Sequence, residues 1–475
     1  MSGAGLAAVS LLLVTANASA AKEAGRKDND PPNIVIFLAD DMGYGDLGCH
    51  GEPHIKTPNI DRFANESVEF TNFHVSPVCA PTRAAMMTGR YPFRTGICDV
   101  YGPAAEMDPG EATMAERLRK LGYATGIFGK WHLGIGAEQA PNKQGFDEAL
   151  TCKDHAMRQY FDPVLLHNGK EEKIEGYCMD IFTDAAIRFI RERQDKPFFV
   201  YLPANLIHVP LQVPEELSAP FADLAVTNST KKIYGMSSSL DTSFGRVRAV
   251  LAKLGIEDNT LLIFTSDNGP CSSSGPVDRH MAGLRGLKGA VYQNGIRVPC
   301  FMRWPAGFPS PGKVTRLAAH IDLLPTALEV AGGGINSGPA VDGASLMPLL
   351  KDASAPWPDR TLFFQWDSGQ VPRRGHAYAV LTETWKLVQP CGMDSPDQKH
   401  IRKRYQQLCK IQRRSNNTSI EGLPRHELYD ISRDPGETTD LAGRHPDIAR
   451  KMIKQYDAWF SDVASRWQQH PINPN

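Results

Sequence analysis

The stretch Asn33-Ile34-Val35-Ile36-Phe37-Leu38-Ala39-Asp40-Asp41 joins an uninterrupted apolar run to two adjacent carboxylates. Without polar alternation, such a run is expected of a strand buried on both faces of a parallel sheet. Similar runs recur at Tyr123–Phe128, Pro197–Leu202, Thr260–Thr265 and Val298–Trp304, and helical patterns lie at Thr113–Leu121, Met179–Glu192 and Met236–Leu254. Strands alternating with helices predict an α/β fold with a mostly parallel central sheet sandwiched by helices. Past residue 350 the pattern changes. Arg360–Trp366 and Ala377–Val388 read as paired antiparallel strands, and Pro446–Ser461 reads as a closing amphipathic helix. The expected division is a main domain over 33–355 and a smaller C-terminal α/β subdomain over 356–475, built on an antiparallel sheet and that helix.

The 475 residues carry a formal net charge of −1, with 22% charged residues. This balance gives no overall attraction to nucleic acid or to a membrane surface, so anion recognition must come from local clusters. Leu6–Val14 is apolar and is followed by Ala18-Ser19-Ala20. That order predicts a cleaved signal peptide over 1–20 and export to a periplasmic, extracellular or lysosomal-type compartment. A polar linker over 21–32 ends in Pro31-Pro32. No later run reaches the roughly 18 apolar residues of a membrane span.

Ligand sites in open parallel sheets lie beyond the carboxyl ends of the strands. The first strand runs into Asp40-Asp41-Met-Gly-Tyr-Gly-Asp46, and the Thr260–Thr265 strand runs into Ser266-Asp267-Asn268-Gly269. Each motif alone is more often a turn. Together, three carboxylates and an amide oxygen suit a hard divalent cation, with calcium favoured over magnesium because it tolerates irregular geometry. A third segment, Ser76-Pro-Val-Cys79-Ala-Pro81-Thr82-Arg83, reads as a helix start with Gly89 near its end. Cys79 would then meet free N–H groups, and Arg83, one turn on, would face the same side and donate to it. Gly129-Lys130-Trp131-His132 follows the Tyr123–Phe128 strand. In extended backbone Lys130 and His132 project to one side, an ammonium for oxyanions beside a titratable base. His208 follows the Pro197–Leu202 strand, and Lys288 stands in Gly286-Leu-Lys288-Gly289, where glycines admit a ligand close to the backbone.

These segments together resemble the formylglycine-dependent sulfatases of the arylsulfatase type, in the alkaline-phosphatase-like superfamily. The likeness runs from Asn33 to the Glu427-Leu-Tyr-Asp-Ile-Ser-Arg-Asp-Pro-Gly-Glu437 segment. It implies a calcium ion held by Asp40, Asp41, Asp267 and Asn268, faced by Cys79 after its oxidation to formylglycine by a formylglycine-generating enzyme. It further implies that Arg83 and Lys130 steady the formylglycine, and that Lys130, His208 and Lys288 grip the sulfate. His132 would act as base on the formylglycine hydrate, and His208 or Lys288 would protonate the departing alcohol. The implied activity is hydrolysis of an aryl sulfate or a sulfated carbohydrate. Thr82 and Met87 replace the more usual serine and leucine of the modification signal, and Gln293-Asn294-Gly295 stands where Glu-Gly-Gly is common. The last departure is expected to alter packing or substrate contacts but not the chemical step. Setting Cys79 aside leaves eight of nine cysteines. Cys152–Cys178 and Cys391–Cys409 are the expected bridges, being close in sequence, against free buried thiols as the alternative.

Two rivals remain open at this level: a phosphate or phosphonate ester hydrolase on the same scaffold, and an inactive secreted protein that binds sulfated glycans. Selectivity is expected in the loops at Thr151–Tyr160, Cys271–Arg285 and Trp366–His376. There Arg158, Arg279, His280, Arg373 and Arg374 are either readers of an anionic sugar or ordinary solvated charges. Asn65, Asn228, Asn416 and Asn417 stand in glycosylation-type sequons, and Lys399–Arg414 reads as an exposed basic helix.

Overall fold

The computed structural model describes residues 31–271, 278–335, 338–366, 369–390 and 425–469. The expected signal peptide, most of the linker, Cys391, Cys409, Asn416, Asn417 and the Lys399–Arg414 stretch lie outside the described residues.

Asn33–Ala39 is a strand at the centre of a ten-stranded sheet, and its residues divide between two cores. Ile34, Ile36 and Leu38 enter the cluster on one face, while Val35, Phe37 and Ala39 enter the cluster on the other. The two-sided burial expected from the unbroken apolar run is therefore realised by simple alternation. Across the middle of the sheet the order is Thr260–Ser266, Asn33–Ala39, Phe198–Pro203, Ala124–Gly129 and Glu148–Cys152, all parallel. Both flanks turn antiparallel: Cys300–Arg303 against Thr260–Ser266, and Val164–His167 against Glu148–Cys152. Helices Cys178–Arg193 and Asn228–Lys253 pack on the second face; Met114–Lys120 and Leu323–Val330 pack on the first. The long helix begins eight residues before the expected Met236, because Thr227 caps it through a hydrogen bond from the Thr230 N–H.

A separate four-stranded antiparallel sheet contains Leu362–Gln365, Tyr378–Leu381, Trp385–Gln389 and Glu427–Asp430 in that order. The expected single strand Ala377–Val388 is two strands. Thr382 turns the chain between them by accepting the Trp385 N–H on its hydroxyl. Helix Pro446–Val463 closes over this sheet, with Tyr456 stacked on Tyr378 and Trp459 on Phe363. The same core takes in Ala85, Tyr91 and Phe93 from the Cys79 helix and the turn after it, so the small sheet backs onto the segment that carries Cys79.

Two buried imidazoles, His74 and His320, lie against Phe364 of the small sheet. Burial pushes His320 down to about 3, and burial with the nearby Lys386 and Arg297 charges brings His74 to about 3. In the unfolded chain both titrate near 6.5, so below that pH the unfolded state takes up protons that the folded state refuses. Stability is expected to fall as the pH drops from 6.5 toward 3, at up to about 1.4 kcal/mol per pH unit for each ring. Urea unfolding followed between pH 7 and pH 5 checks this, and His320→Asn should flatten the slope.

Candidate active site

Ala39 pairs with Ser266 at the last step of the two central strands, so the residues that follow, Asp40-Asp41 and Asp267-Asn268, emerge side by side. The junction is tied by the Asp41 N–H to Asp267 Oδ1 (3.2 Å) and the Met42 N–H to Ser266 Oγ (3.2 Å). Asp41 takes a left-handed conformation (φ 65°), which turns the chain so that consecutive carboxylates both reach the site. Asn268 Nδ2 donates to Asp41 Oδ1 at 2.8 Å.

Three cations meet these carboxylates. Lys130 Nζ lies 2.6 Å from Asp40 Oδ2, Arg83 donates to Asp267 Oδ2 from Nε (3.0 Å) and Nη2 (2.6 Å), and Lys288 Nζ pairs with Asp41 Oδ1. Asp40, Asp267, Arg83 and Lys130 are all fully buried. Burial alone would raise Asp40, but Lys130, His208, Arg83 and Lys288 together hold it well below the usual carboxylate range. Asp267 is raised to about 6, by burial first and then by the neighbouring Asp40. Burial works against the Lys130 and Lys288 ammoniums, yet the carboxylates and the Cys79 sulfur outweigh it and raise both.

Three oxygens are left over. Asp40 Oδ1, Asp41 Oδ2 and Asn268 Oδ1 are buried with no hydrogen-bond partner. Orphaned buried acceptors are costly and rare, and three of them on residues that follow two paired strand ends ask for a cation. Ligand atoms of Asp40, Cys79 and Asp267 lie within 4.8 Å of one another, as do those of Asp40, Asp41 and His208. The three orphaned acceptors are all oxygen, which fits a hard divalent ion of the calcium kind.

Cys79 opens the helix Cys79–Thr88, whose end is Gly89 in the left-handed conformation, as the sequence reading expected. The Thr82 hydroxyl donates back to the Ser76 carbonyl (3.2 Å), folding the segment around Cys79. Thr82 thus does here what a serine hydroxyl can do, and Met87 is simply buried in the core. Burial pushes the thiol up, against the pull of Lys130 and Lys288. Arg83 faces this region, but its donors go to Asp267 and to the Lys130 carbonyl (2.7 Å), so it braces the carboxylates around Cys79.

Lys130 and His132 share the site by a different route from the expected extended alternation. The strand ends at Gly129, and His132 is left-handed (φ 61°). Its Nε2 lies 2.9 Å from the Val100 carbonyl, which makes Nε2 the protonated nitrogen and Nδ1 the free base. Nδ1 is buried and without a hydrogen-bond partner. Burial and then Lys130 hold the ring well below its ordinary value, so it is neutral, with its lone pair on Nδ1. His208 is lowered by burial and Lys130, and its Nε2 stands 4.0 Å from Asp41 Oδ2. Neither Val100, which anchors His132 through a backbone atom, nor His155, whose ring centre is 5.1 Å from that of His132, was singled out from sequence. A backbone acceptor leaves no trace in residue type.

Among the loop cations left open as sugar readers or solvated charges, two are engaged by carboxylates. Arg279 is buried against Asp46 (3.3 Å), and Arg374 binds Asp457 on the closing helix (3.0 Å). Both serve the fold. Arg158 is exposed beside Asp154. Cys152 and Cys178 are both buried free thiols, not the expected bridge; Cys152 donates weakly to Asn205. Gln293 and Asn294 are buried, and Asn294 Nδ2 donates to the Gly286 carbonyl (3.2 Å) beneath Lys288.

An α/β sheet that gathers cations and free oxygens around a helix-start thiol defines a hydrolase for esters of tetrahedral oxyanions. Residues 32–333 match the sulfatase family, and residues 287–400 match the family described as N-sulphoglucosamine sulphohydrolase, C-terminal. Human arylsulfatase A is 34% identical over 468 residues, covering 89% of this chain and 86% of that protein. Human N-acetylgalactosamine-6-sulfatase is 34% identical over 491 residues, covering 93% and 85%. The crystal structure of Ps i-CgsB in complex with k-i-k-neocarrahexaose superposes with a TM-score of 0.77 at 28% identity, covering 90% and 93%. The chain belongs to the sulfatase family, and it is a sulfuric ester hydrolase.

Proposed function

We propose that this sulfatase cleaves sulfate esters of a carbohydrate, using formylglycine made from Cys79 and a calcium ion held by Asp40, Asp41, Asp267 and Asn268. The observation that carries the reading is a set of three orphaned buried oxygens, on Asp40, Asp41 and Asn268, together with ligand atoms of Asp40 and Asp267 within 4.8 Å of that of Cys79. When bound, the ion would make a nearby hydroxyl more acidic, and the modified residue would supply that hydroxyl. The chain's own groups do the rest. Lys130 and Lys288 neutralise sulfate oxygens, Arg83 holds Asp267 and Asp40 in place, and His132 accepts a proton at Nδ1 while Val100 fixes its tautomer. Lys288, or His208 once it has taken up a proton, gives a proton to the leaving alcohol. A relative named N-acetylgalactosamine-6-sulfatase and a structural relative in complex with k-i-k-neocarrahexaose favour a sulfated sugar. Export of the chain, on its N-terminal pattern, belongs to the same proposal. Among the described residues no helix is long and apolar enough to cross a membrane.

A phosphonate monoester hydrolase shares the fold (TM-score 0.62 at 19% identity), so architecture alone does not separate the rivals. Purified protein should turn over an aryl sulfate faster than the matching aryl phosphate, and mass analysis of the Cys79 peptide should show an aldehyde in place of the thiol. Unmodified cysteine throughout, from a host that has the modifying enzyme, would overturn the formylglycine reading. Preference for the phosphate would overturn the choice of ester.

A further inference from the structure

The Lys288 loop does not stand alone. Asn294 N–H donates to the Arg285 carbonyl (2.7 Å) and Ala290 N–H to the Leu287 carbonyl (2.8 Å), so residues 285–295 close on themselves. On the catalytic side this segment is held by Lys288 N–H to Pro270 O (2.9 Å), Gly289 N–H to Pro77 O (2.8 Å) and Gly269 N–H to Gly295 O (3.0 Å). Those contacts lie beside Asn268 and two residues before Cys79. On its other side the anchors come from the C-terminal sheet and from Glu437 in the turn that follows its last strand. Gln293 N–H donates to Glu437 Oε2 (2.7 Å), and Glu437 Oε1 pairs with Lys386 Nζ at 2.6 Å, both side chains being fully buried. Arg285 Nη1 donates to Tyr429 Oη (2.8 Å), and its guanidinium lies 3.9 Å over the Tyr292 ring. The Gln293 side chain turns away to His74 Nε2 (3.2 Å), leaving its backbone N–H to Glu437.

A buried ion pair is a poor device for stability alone, since apolar residues of like volume serve as well. It is a good device for placing one acceptor in one direction, and here that acceptor ends on the loop that carries Lys288. We infer that Glu437, held by Lys386, is a positioning residue for Lys288, by which the C-terminal sheet sets the reach of an ammonium in the active site. The inference rests on the role of Lys288 proposed above.

The test uses paired replacements so that no charge is stranded. Lys386→Met with Glu437→Met removes both charges and the acceptor; Lys386→Met with Glu437→Gln removes the charges but keeps an amide oxygen for the Gln293 N–H. Values of kcat and KM on an aryl sulfate are measured well below Tm, in the parent and in Lys288→Ala. The Met/Met pair should lower kcat/KM by about tenfold to 100-fold, the scale of a misplaced catalytic group. The Met/Gln pair should recover most of that loss. In Lys288→Ala, adding the Met/Met pair should cost less than about twofold more, because the two changes act through one group. An unchanged kcat/KM in the Met/Met variant, or an equal loss in both backgrounds, overturns the inference. Lys288→Ala with parent activity would instead overturn the role of Lys288. Should the Met/Met variant not fold, Arg285→Met cuts the second anchor and must show the same dependence on Lys288.

Discussion

Cys79→Ala is expected to abolish turnover of an aryl sulfate, by roughly 10⁴-fold or more, on the scale that removing a covalent nucleophile costs other hydrolases. The fold should survive. Cys79 is 2% exposed and its loss leaves a sulfur-sized gap, a cost of about 1 kcal/mol. The side chain makes none of the ties that hold the site together. Asp40, Asp267, Arg83 and Lys130 are bonded to one another, so their geometry stays when the thiol goes. The variant should therefore melt within a few degrees of the parent while its kcat/KM collapses. Retention of more than a few per cent of parental activity, with the melting temperature unchanged, would remove Cys79 from the reaction and leave only the cation site. The same purified variant gives the control for the mass measurement, since alanine cannot be oxidised to the aldehyde.

The placement of candidate residues was legible where they are contiguous with a strand. Asp40-Asp41, Asp267-Asn268 and Lys130 each follow an apolar run directly, and strand pairing then brings the ends together without further information. It was weaker where orientation depends on a distant partner. Helical spacing put Arg83 on the side of Cys79, but Asp267, 184 positions away, takes two of its donors. Arg279 looked like a cation in a substrate loop, yet Asp46 draws it into the interior. Arg374 serves the closing helix for the same reason. Turns without glycine or proline were also missed: Thr382-Glu-Thr-Trp385 reverses the chain by a threonine hydroxyl, which residue type alone does not announce. The long helix started earlier than its apolar period because Lys231 and Lys232 dilute the pattern while Thr227 supplies the cap. The Gln293-Asn294-Gly295 departure, expected to alter packing or substrate contacts, lies where the Lys288 loop meets Glu437.

Removing the divalent cation is expected to abolish sulfate binding as well as turnover, and charge balance gives the reason. Asp40, Asp41 and Asp267 face Arg83, Lys130 and Lys288, three carboxylates against three cations. His132 and His208 add nothing at neutral pH, because burial and Lys130 hold both below their ordinary value. Without an ion the site is close to neutral, and each ammonium is already drawn to a carboxylate. A sulfate arriving there must compete with Asp40 for Lys130 and with Asp41 for Lys288 while losing its own hydration. A bound dication would supply two positive charges and give Asp40 Oδ1, Asp41 Oδ2 and Asn268 Oδ1 the partner they lack. A unit charge pair about 4 Å apart in a partly screened site is worth about 4 kcal/mol, so even half of that changes affinity by more than about tenfold. Titration calorimetry with inorganic sulfate should then show at least about 100-fold weaker binding to chelator-treated protein than to the calcium-loaded form. Calcium alone should also raise Tm, by relieving the orphaned oxygens. Equal sulfate affinity in the two forms would mean that Lys130 and Lys288 suffice without help, and that the strand-end carboxylates serve only to pair with them.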